Sequence, residues 1–494
     1  MKAIYPVKSM KSNLLSIKLA LMVGLVSGCA LVGPDYQRPD NDLPVQFSEQ
    51  ETAAETDSLI TPTWWELYQD PVLNDLVAQA RTNNTDIKLA VARIEEADAI
   101  LREVGTTLFP RVDLNAGASR SRSSQMTGVP AFNQADPIRN NHIVQLGTSF
   151  EVDFWGKFRR ARESARAQAL ATRYARDTVE LSLSSLVASN YILLRSLDAQ
   201  IRISRDSLRS REESLDLTKR RLEGGVASAL DVHQAQVSVS NLRAQIAELV
   251  RQRAIVQHQL AVLTGVLDLT LVEADIKSLP MPPVPPAGLP SRLLEARPDI
   301  QRAELELVAA NAQIGVARAA LFPSISLTGI YGGESAELGD ILKSAARIWT
   351  LGIDLDLPIF DSGARESRVE QATAQQRQAL ALYEQAIETA FREVNDALVT
   401  LRQSAEREEA LAVSQDAAAK ALQIAENRYK AGYAGYLEVL DSQRVHNDIT
   451  LAYIDSRQAR LAATVDLFKA LGGGWRAEPP EQASNQTEPA AQPE

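Results

Sequence analysis

The sequence predicts a mainly α-helical chain with a β part, built from two copies of one structural half. Three observations predict it. The 494 residues are rich in Ala, Leu, Gln, Glu and Arg, the composition of long helices. The hydrophobic period switches from 3.6 to 2 and back, and does so twice. Residues 428–444, RYKAGYAGYLEVLDSQR, repeat a weaker copy about 207 residues earlier, RLEGGVASALDVHQAQV at 221–237. In the two copies Arg221 matches Arg428 and Gly225 matches Gly432, while Leu230, Asp231 and Val232 match Leu437, Glu438 and Val439.

At the N-terminus, Lys2, Lys8, Lys11 and Lys18 precede the short apolar run LALMVGLVSG and Cys29. A basic region, an apolar core and small residues before the cut are the parts of a signal peptide, assigned to 1–28. Val26-Ser27-Gly28-Cys29 resembles a bacterial lipobox, in which the Cys29 thiol takes diacylglycerol and becomes the new N-terminus. The single cysteine of the chain falls at that position. Ala30 follows it rather than Asp, which in such lipoproteins implies passage to the outer membrane. Residues 29–62, polar and Pro-containing, read as a lipidated extended segment.

The first repeat is assigned to 63–279. Asp70 caps a short helix (about 71–81) that has Pro71 at its first position. A longer helix (about 85–106) opens at Thr85-Asp86 and stops at Leu108-Phe109-Pro110. A strand pair follows within 111–154. Val112, Leu114, Ala116 and Ala118 alternate with polar residues or Gly, and Leu146, Thr148, Phe150, Val152 and Phe154 alternate with Gly147, Ser149, Glu151 and Asp153. A long helical run (157–222), a tip near 224–228 and a returning helix (229–264) complete the half, ending at Gly265. A Pro-rich linker (280–290) leads to the second repeat, 291–475.

The second repeat follows the same plan. Its strand pair lies in 324–358, with Ile325, Leu327, Gly329 and Tyr331 on one face. Trp349, Leu351, Ile353, Leu355 and Leu357 then alternate with Thr350, Gly352, Asp354 and Asp356. Asp361-Ser362 caps the long run 362–430, whose tip is near 431–435 and whose return is 436–471. The tail, 476–494, is rich in Glu, Pro and Gln and reads as disordered. At 1.5 Å per residue each long helix would reach roughly 100 Å, and its mixed three- and four-residue apolar spacing is coiled-coil-like. Each strand has about ten residues, the length of a tilted membrane strand. A half-buried strand of a soluble sheet shows the same alternation, so the strands alone leave both readings open. If the apolar faces meet lipid, Asp153, Asp354 and Asp356 face a lumen.

Composition and motifs exclude several classes. The 63 acidic residues outnumber 52 basic ones, which argues against nucleic acid as a partner. One cysteine excludes an internal disulfide or a Cys-based metal cluster. The four histidines are scattered, and no zincin, nucleophile-elbow, P-loop or dinucleotide motif occurs, so neither an enzyme nor a cofactor is expected. Four amphipathic strands cannot close a membrane barrel, because unpaired edges in lipid leave backbone groups unsatisfied. Several copies must therefore share one barrel. Cyclic closure also lets the helical hairpins line up as a second, helical tube.

Taken together, VSGC (26–29), WWELYQDPVLNDLV (64–77), ARPDIQRAELELVAANAQIGVARAALFPSISLTG (296–329), the second tip and LFKALGGGW (467–475) carry a family resemblance. The chain resembles the TolC-like outer-membrane efflux lipoproteins, of the OprM/NodT branch. The resemblance implies a homotrimer with a twelve-stranded barrel in the outer membrane, continued by a long periplasmic α-helical barrel. It implies docking on a periplasmic adaptor and an inner-membrane pump, usually of the resistance-nodulation-division type. It implies a passive exit duct for small molecules. The alternatives are a duct for type I protein secretion, a periplasmic adaptor or a structural envelope lipoprotein. An adaptor would have one hairpin, and a structural coiled coil would have no use for strands.

The resemblance places a periplasmic gate at Leu437, Asp441 and Arg444. Three copies of Asp441 around an axis would form an acidic ring, and Arg444, one turn on, can pair with carboxylates. The counterparts of Asp441 and Arg444 in the first half are Gln234 and Val237, so the two hairpins are not equivalent. The tips, Gly224, Gly225, Ala431 and Gly432, are the expected adaptor contacts, since small residues let a partner helix approach closely. Arg297-Pro298-Asp299 reads as a helix start, with Pro298 in the first turn and Asp299 complementing the dipole. No residue reads the cargo.

Overall fold

The computed structural model describes residues 31–40, 43–49, 61–122, 124, 126, 138–284 and 290–474. The expected signal peptide, Cys29, residues 285–289 of the linker and the tail from 476 lie outside the described residues. In chain order the principal elements are α1 (Pro71–Asn83), α2 (Thr85–Thr106), β1 (Arg111–Arg122), β2 (Ile138–Glu151), α3 (Lys157–Glu223) and α4 (Ala229–Thr264). They continue with α5 (Pro298–Ala319), β3 (Ser324–Ser335), β4 (Arg347–Asp356), α6 (Ala364–Lys430) and α7 (Tyr436–Ala470). The long helices α3 and α6 are 67 residues each. Among the described residues no helix is long and apolar enough to cross a membrane.

Two units partition the chain, and each draws on both halves of the sequence. The first comprises Met1–Pro39, Ile94–Ala171 and Glu304–Leu382. Its centre is a four-stranded antiparallel sheet in the order β1-β2-β3-β4, in which the β2–β3 pairing joins the two halves. The register sets Leu114 opposite Leu146, Leu146 opposite Tyr331 and Tyr331 opposite Trp349, so these four form one row on one face. Val112, Phe150, Leu327, Leu351, Ile353 and Leu355 share that face. Asp113, Asn115, Gln145, Ser326, Thr328, Asp354 and Asp356 occupy the other. Leu351 and Ile353 are 80% and 77% exposed, so among the described residues nothing covers the apolar face there.

Asp153 departs from the expectation of a lumen-facing side chain. β2 ends at Glu151, and the Asp153 carboxylate instead accepts the N–H groups of Phe158 (3.1 Å) and Arg159 (2.9 Å) at the start of α3. It also pairs with the Arg159 guanidinium at 3.1 Å. The first N–H groups of a helix have no partner in the helix itself, and an Asp just upstream supplies one. The alternation of FEVDF runs on past the last strand residue, which is why it misleads. Asp361 does the same for α6, accepting from Gly363 (3.1 Å) and Arg365 (3.2 Å).

An extended N-terminal strap lies along the same unit. Val32 donates to the Trp155 carbonyl (3.1 Å), Asn311 donates to the Pro34 carbonyl (2.9 Å), and Tyr36 and Arg38 both reach Glu304. Buried Arg160 holds Asp35 at 2.5 Å and Glu163 at 2.8 Å. The close approach is permitted by glycine: a Cβ on Gly33 would stand 2.5 Å from the Cα of Gly315.

The second unit comprises Asp40–Arg93, Thr172–Ala303 and Tyr383–Glu494. Asp70 caps α1, accepting from Val72 (2.8 Å) and Leu73 (3.3 Å), while its other oxygen accepts from the buried Tyr191 hydroxyl at 2.6 Å. Trp64 stacks on Phe468 with ring centres 5.3 Å apart, and the Tyr68 hydroxyl lies 2.5 Å from Thr464 Oγ1. Past α7 the chain turns through Gly472, Gly473 and Gly474, all at positive φ. A Cβ on Gly472 would stand 2.1 Å from the Ala296 carbonyl oxygen. One residue further, Arg297 ties the parts together. Its buried guanidinium donates to Asp299 (2.6 Å), to Glu393 of α6 (2.7 Å) and to the last carbonyl of α7, Ala470 (3.1 Å).

Arg297→Ala strands those acceptors. The two carboxylates are about a third exposed, so water takes up part of the loss. The expected destabilisation is about 2–3 kcal/mol, the range of hydrogen bonds to charged groups. A denaturant titration of the detergent-solubilised protein, read by helical circular dichroism, checks it. Arg297→Lys is expected to recover only part, because an ammonium lacks the planar fork that serves three acceptors at once.

Candidate functional site at the hairpin tips

Both hairpins turn by the same local device. At the first tip Gly225 N–H reaches the Leu222 carbonyl and Val226 N–H the Arg221 carbonyl, both at 2.9 Å. At the second, Gly432 N–H reaches Tyr429 (3.0 Å) and Tyr433 N–H reaches Arg428 (2.9 Å). The pivot glycines stand at φ 75° and 81°. The bond back across five residues, with a left-handed glycine at the turn, satisfies the last carbonyls of a long helix. The four expected contact residues, Gly224, Gly225, Ala431 and Gly432, are all exposed.

The re-entry differs between the tips. Ser228 and Asp231 form a reciprocal capping box at the head of α4. Gly435 offers no side-chain cap to α7, and Glu438, the counterpart of Asp231, pairs instead with Arg428 at 3.1 Å.

The tips also lean on each other. Arg221 sits 4.4 Å from the centre of the Tyr429 ring and donates to the Tyr429 carbonyl at 3.0 Å. Beneath them Leu215, Ala235, Val239, Tyr429, Tyr436 and Val439 form a buried apolar cluster. Burial pushes the Tyr436 hydroxyl up to about 12, so it stays protonated. Polar residues lie beyond the cluster: Gln443 donates to Ser214 Oγ (3.1 Å) and buried Arg211 to Ser238 Oγ (3.0 Å). Burial lowers the pKa of Arg211 and of His446. The repeat marks Arg221 but not its contact with the other tip, and Gln443 and Arg211 carried no signal beyond a polar side chain at an apolar position of the 3–4 pattern.

Leu437, Asp441 and Arg444 fall on one exposed stripe of α7, opposite the stripe of Tyr436, Val439, Gln443 and Asn447 that faces the cluster. Asp441 and Arg444 pair at 3.0 Å, with side chains 61% and 69% exposed. Leu437 stands one turn before them and is exposed. On the first hairpin the matching stripe offers Leu230 and Val237, exposed and uncharged. The charged stripe thus belongs to one hairpin of the two. A surface pair of this kind stabilises by about 0–1 kcal/mol, which makes it easy to exchange for other partners.

The family described as outer membrane efflux protein matches residues 76–266 and 289–473, once in each half. The antibiotic efflux pump outer membrane protein ArpC of Pseudomonas putida is 34% identical, with 94% of this chain and 96% of ArpC covered. SilC of Salmonella typhimurium, described as a probable outer membrane lipoprotein, is 31% identical over 94% of this chain and 99% of its own. The open-state structure of the Neisseria gonorrhoeae MtrE outer membrane channel superposes with a TM-score of 0.81 at 30% identity. That match covers 90% of this chain and 98% of MtrE.

The tip geometry sets a contrast between two glycines that both face open space. Gly432→Ala forces a side chain into the left-handed region and should destabilise the turn by about 1 kcal/mol. Gly435→Ser, at φ −76° and at the helix N-cap, where Ser is at least as good as Gly, should not weaken it. Hydrogen exchange of the amides in 431–436 reads both. Equal acceleration in the two variants would reject the turn mechanism.

Proposed function

Since the chain belongs to the outer membrane efflux protein family and is the outer-membrane channel component of an efflux system, we propose that three copies close one barrel and one passive duct, gated at the hairpin tips. The observation that carries this reading is the sheet. Among the described residues β1 and β4 are each paired on one side only, and the apolar face they share is bare. Such a sheet is complete in a membrane only when neighbouring copies pair with its edges. Four strands per copy against a usual minimum of eight require more than one copy. Three is the number the family resemblance implies.

The proposed gate is the stripe of Leu437, Asp441 and Arg444. Cyclic symmetry brings three such stripes around one axis. There the Asp441 carboxylates form an acidic ring that favours cations and narrows the pore, and Arg444 bonds across copies as readily as within one. The exposed tips, Gly224, Gly225, Ala431 and Gly432, with Val226 and Tyr433 beside them, are the proposed docking points for a periplasmic adaptor. Through that adaptor the duct serves an inner-membrane pump of the resistance-nodulation-division type. The proposed lipid anchor is Cys29. No catalytic step and no cofactor belongs to this function, and cargo choice rests with the adaptor and pump.

Single-channel conductance in planar bilayers tests the gate and the duct separately. The wild type is expected to conduct weakly, and Asp441→Ala combined with Arg444→Ser to raise the conductance several-fold. Equal conductance in the two proteins would remove the gate from these residues. Absence of conductance in both would overturn the duct.

A further inference from the structure

The charges on the sheet are sorted by face as well as by sign. Asp113, Glu151, Glu334, Asp354 and Asp356 all project from the polar face. The apolar face carries no carboxylate at any strand position, yet it carries three arginines. Arg120 stands opposite Asn140, Arg122 opposite Ile138, and Arg347 opposite Gly333, each in phase with the apolar residues of its strand. All three are exposed, and among the described residues none has a carboxylate partner.

Their position along the strands is as informative as their face. Arg120 and Arg122 take the last two outward-facing places of β1, and Arg347 is the first residue of β4. They therefore lie towards the end of the sheet where β1 turns to β2 and β3 turns to β4, on its two edge strands, with Arg347 in the row of Val144 and Ala116 and Arg120 and Arg122 two and three outward steps beyond that row. Arg347 stands one outward step, about 7 Å along the strand, beyond Trp349, which is paired across the sheet with Tyr331. Trp and Tyr rings mark the level at which hydrocarbon gives way to headgroups. The opposite end of the apolar face, at Val112, Phe150, Ile325 and Leu355, has no basic residue.

An arginine pointing outward at mid-membrane would be costly, whereas beyond an aromatic level it meets lipid headgroups. In a channel whose helices extend into the periplasm, the strand-turn end lies in the outer leaflet. From this placement we propose that Arg120, Arg122 and Arg347 form a cationic collar that binds the phosphate groups of an anionic outer-leaflet lipid. The guanidinium fork suits a phosphate, forming paired charge-assisted hydrogen bonds. The polar face, with its mixed charges, offers no such surface. The proposal rests on insertion of the barrel in the outer membrane and is independent of the gate.

The full-length protein in phosphatidylcholine nanodiscs is titrated with bis-phosphorylated lipid A, and the lipid retained per protein after washing is counted. The concentration for half-maximal retention is expected to rise about fivefold for each arginine replaced in the series R120Q, R122Q and R347Q. Arg139→Gln, on the polar face, should leave it unchanged. The Lys variants of the three positions should retain most of the effect. A triple Gln variant that binds as the wild type does would overturn the proposal. Should that variant fail to insert, the wild type is titrated with lipid A stripped of its phosphates. Weak retention then supports the collar, and undiminished retention overturns it.

Discussion

A peptide group inside a bilayer has no water to turn to, and the architecture of this chain follows from that. Each N–H and C=O of the strands needs a partner, so a four-stranded sheet with two free edges is an incomplete object. Among the described residues the lipid-facing pattern appears on the strands, and no helix is long and apolar enough to cross a membrane. The helices are amphipathic, with polar stripes that only an aqueous compartment tolerates. Assembly from several copies is therefore a requirement of the covalent chain, and the duplicated halves reduce the number of copies needed.

Duplication has not kept the halves alike. Arg195 of α3 and its counterpart Arg402 of α6 both hold a segment crossing the helices. Arg195 does so through the Val272 carbonyl, and Arg402 through the carboxylate of Glu49. The tips share one turn geometry, yet one re-entering helix is capped by Ser228 and Asp231 and the other is left with a bare glycine. That weaker start precedes the charged stripe of α7. Local stability and the candidate gate are thus distributed unequally between two hairpins of common design, as expected where a moving part is drawn from the less stable elements.

Much of this was legible in the residues. Helix limits came from short-range signals, Asp70-Pro71, Gly265 and Gly472 to Gly474, whose chemistry acts within one turn. Strand faces came from alternation, which fixes the side of every residue once one is known. Asp153 was misread because alternation continues for two residues after the ladder ends, and nothing local marks the stop. Arg297 was legible as a helix neighbour but not as a clasp, since Glu393 and Ala470 lie 96 and 173 residues away. The Arg221–Tyr429 contact, spanning 208 residues, was hidden for the same reason. Of the proposed gate residues, Asp441 and Arg444 carry ordinary surface charges and Leu437 is an exposed apolar side chain, and only the family resemblance singled them out. The outward arginines were invisible until the register assigned each strand residue a face.

The equal length of α3 and α6 bears on how such a chain can change over evolutionary time. Each has 67 residues, and within the second unit each carries a tip that leans against the other. Deleting one residue from either helix alone would turn everything beyond it by about 100° and shift it by about 1.5 Å. Arg221 would then face away from Tyr429, and the two turns would part. Length variation in these helices must arrive as matched changes in both halves, or in whole repeats of the apolar pattern. Loops are free of that bookkeeping, so new lengths in lineages of this chain should accumulate at strand turns and termini long before they enter the hairpins.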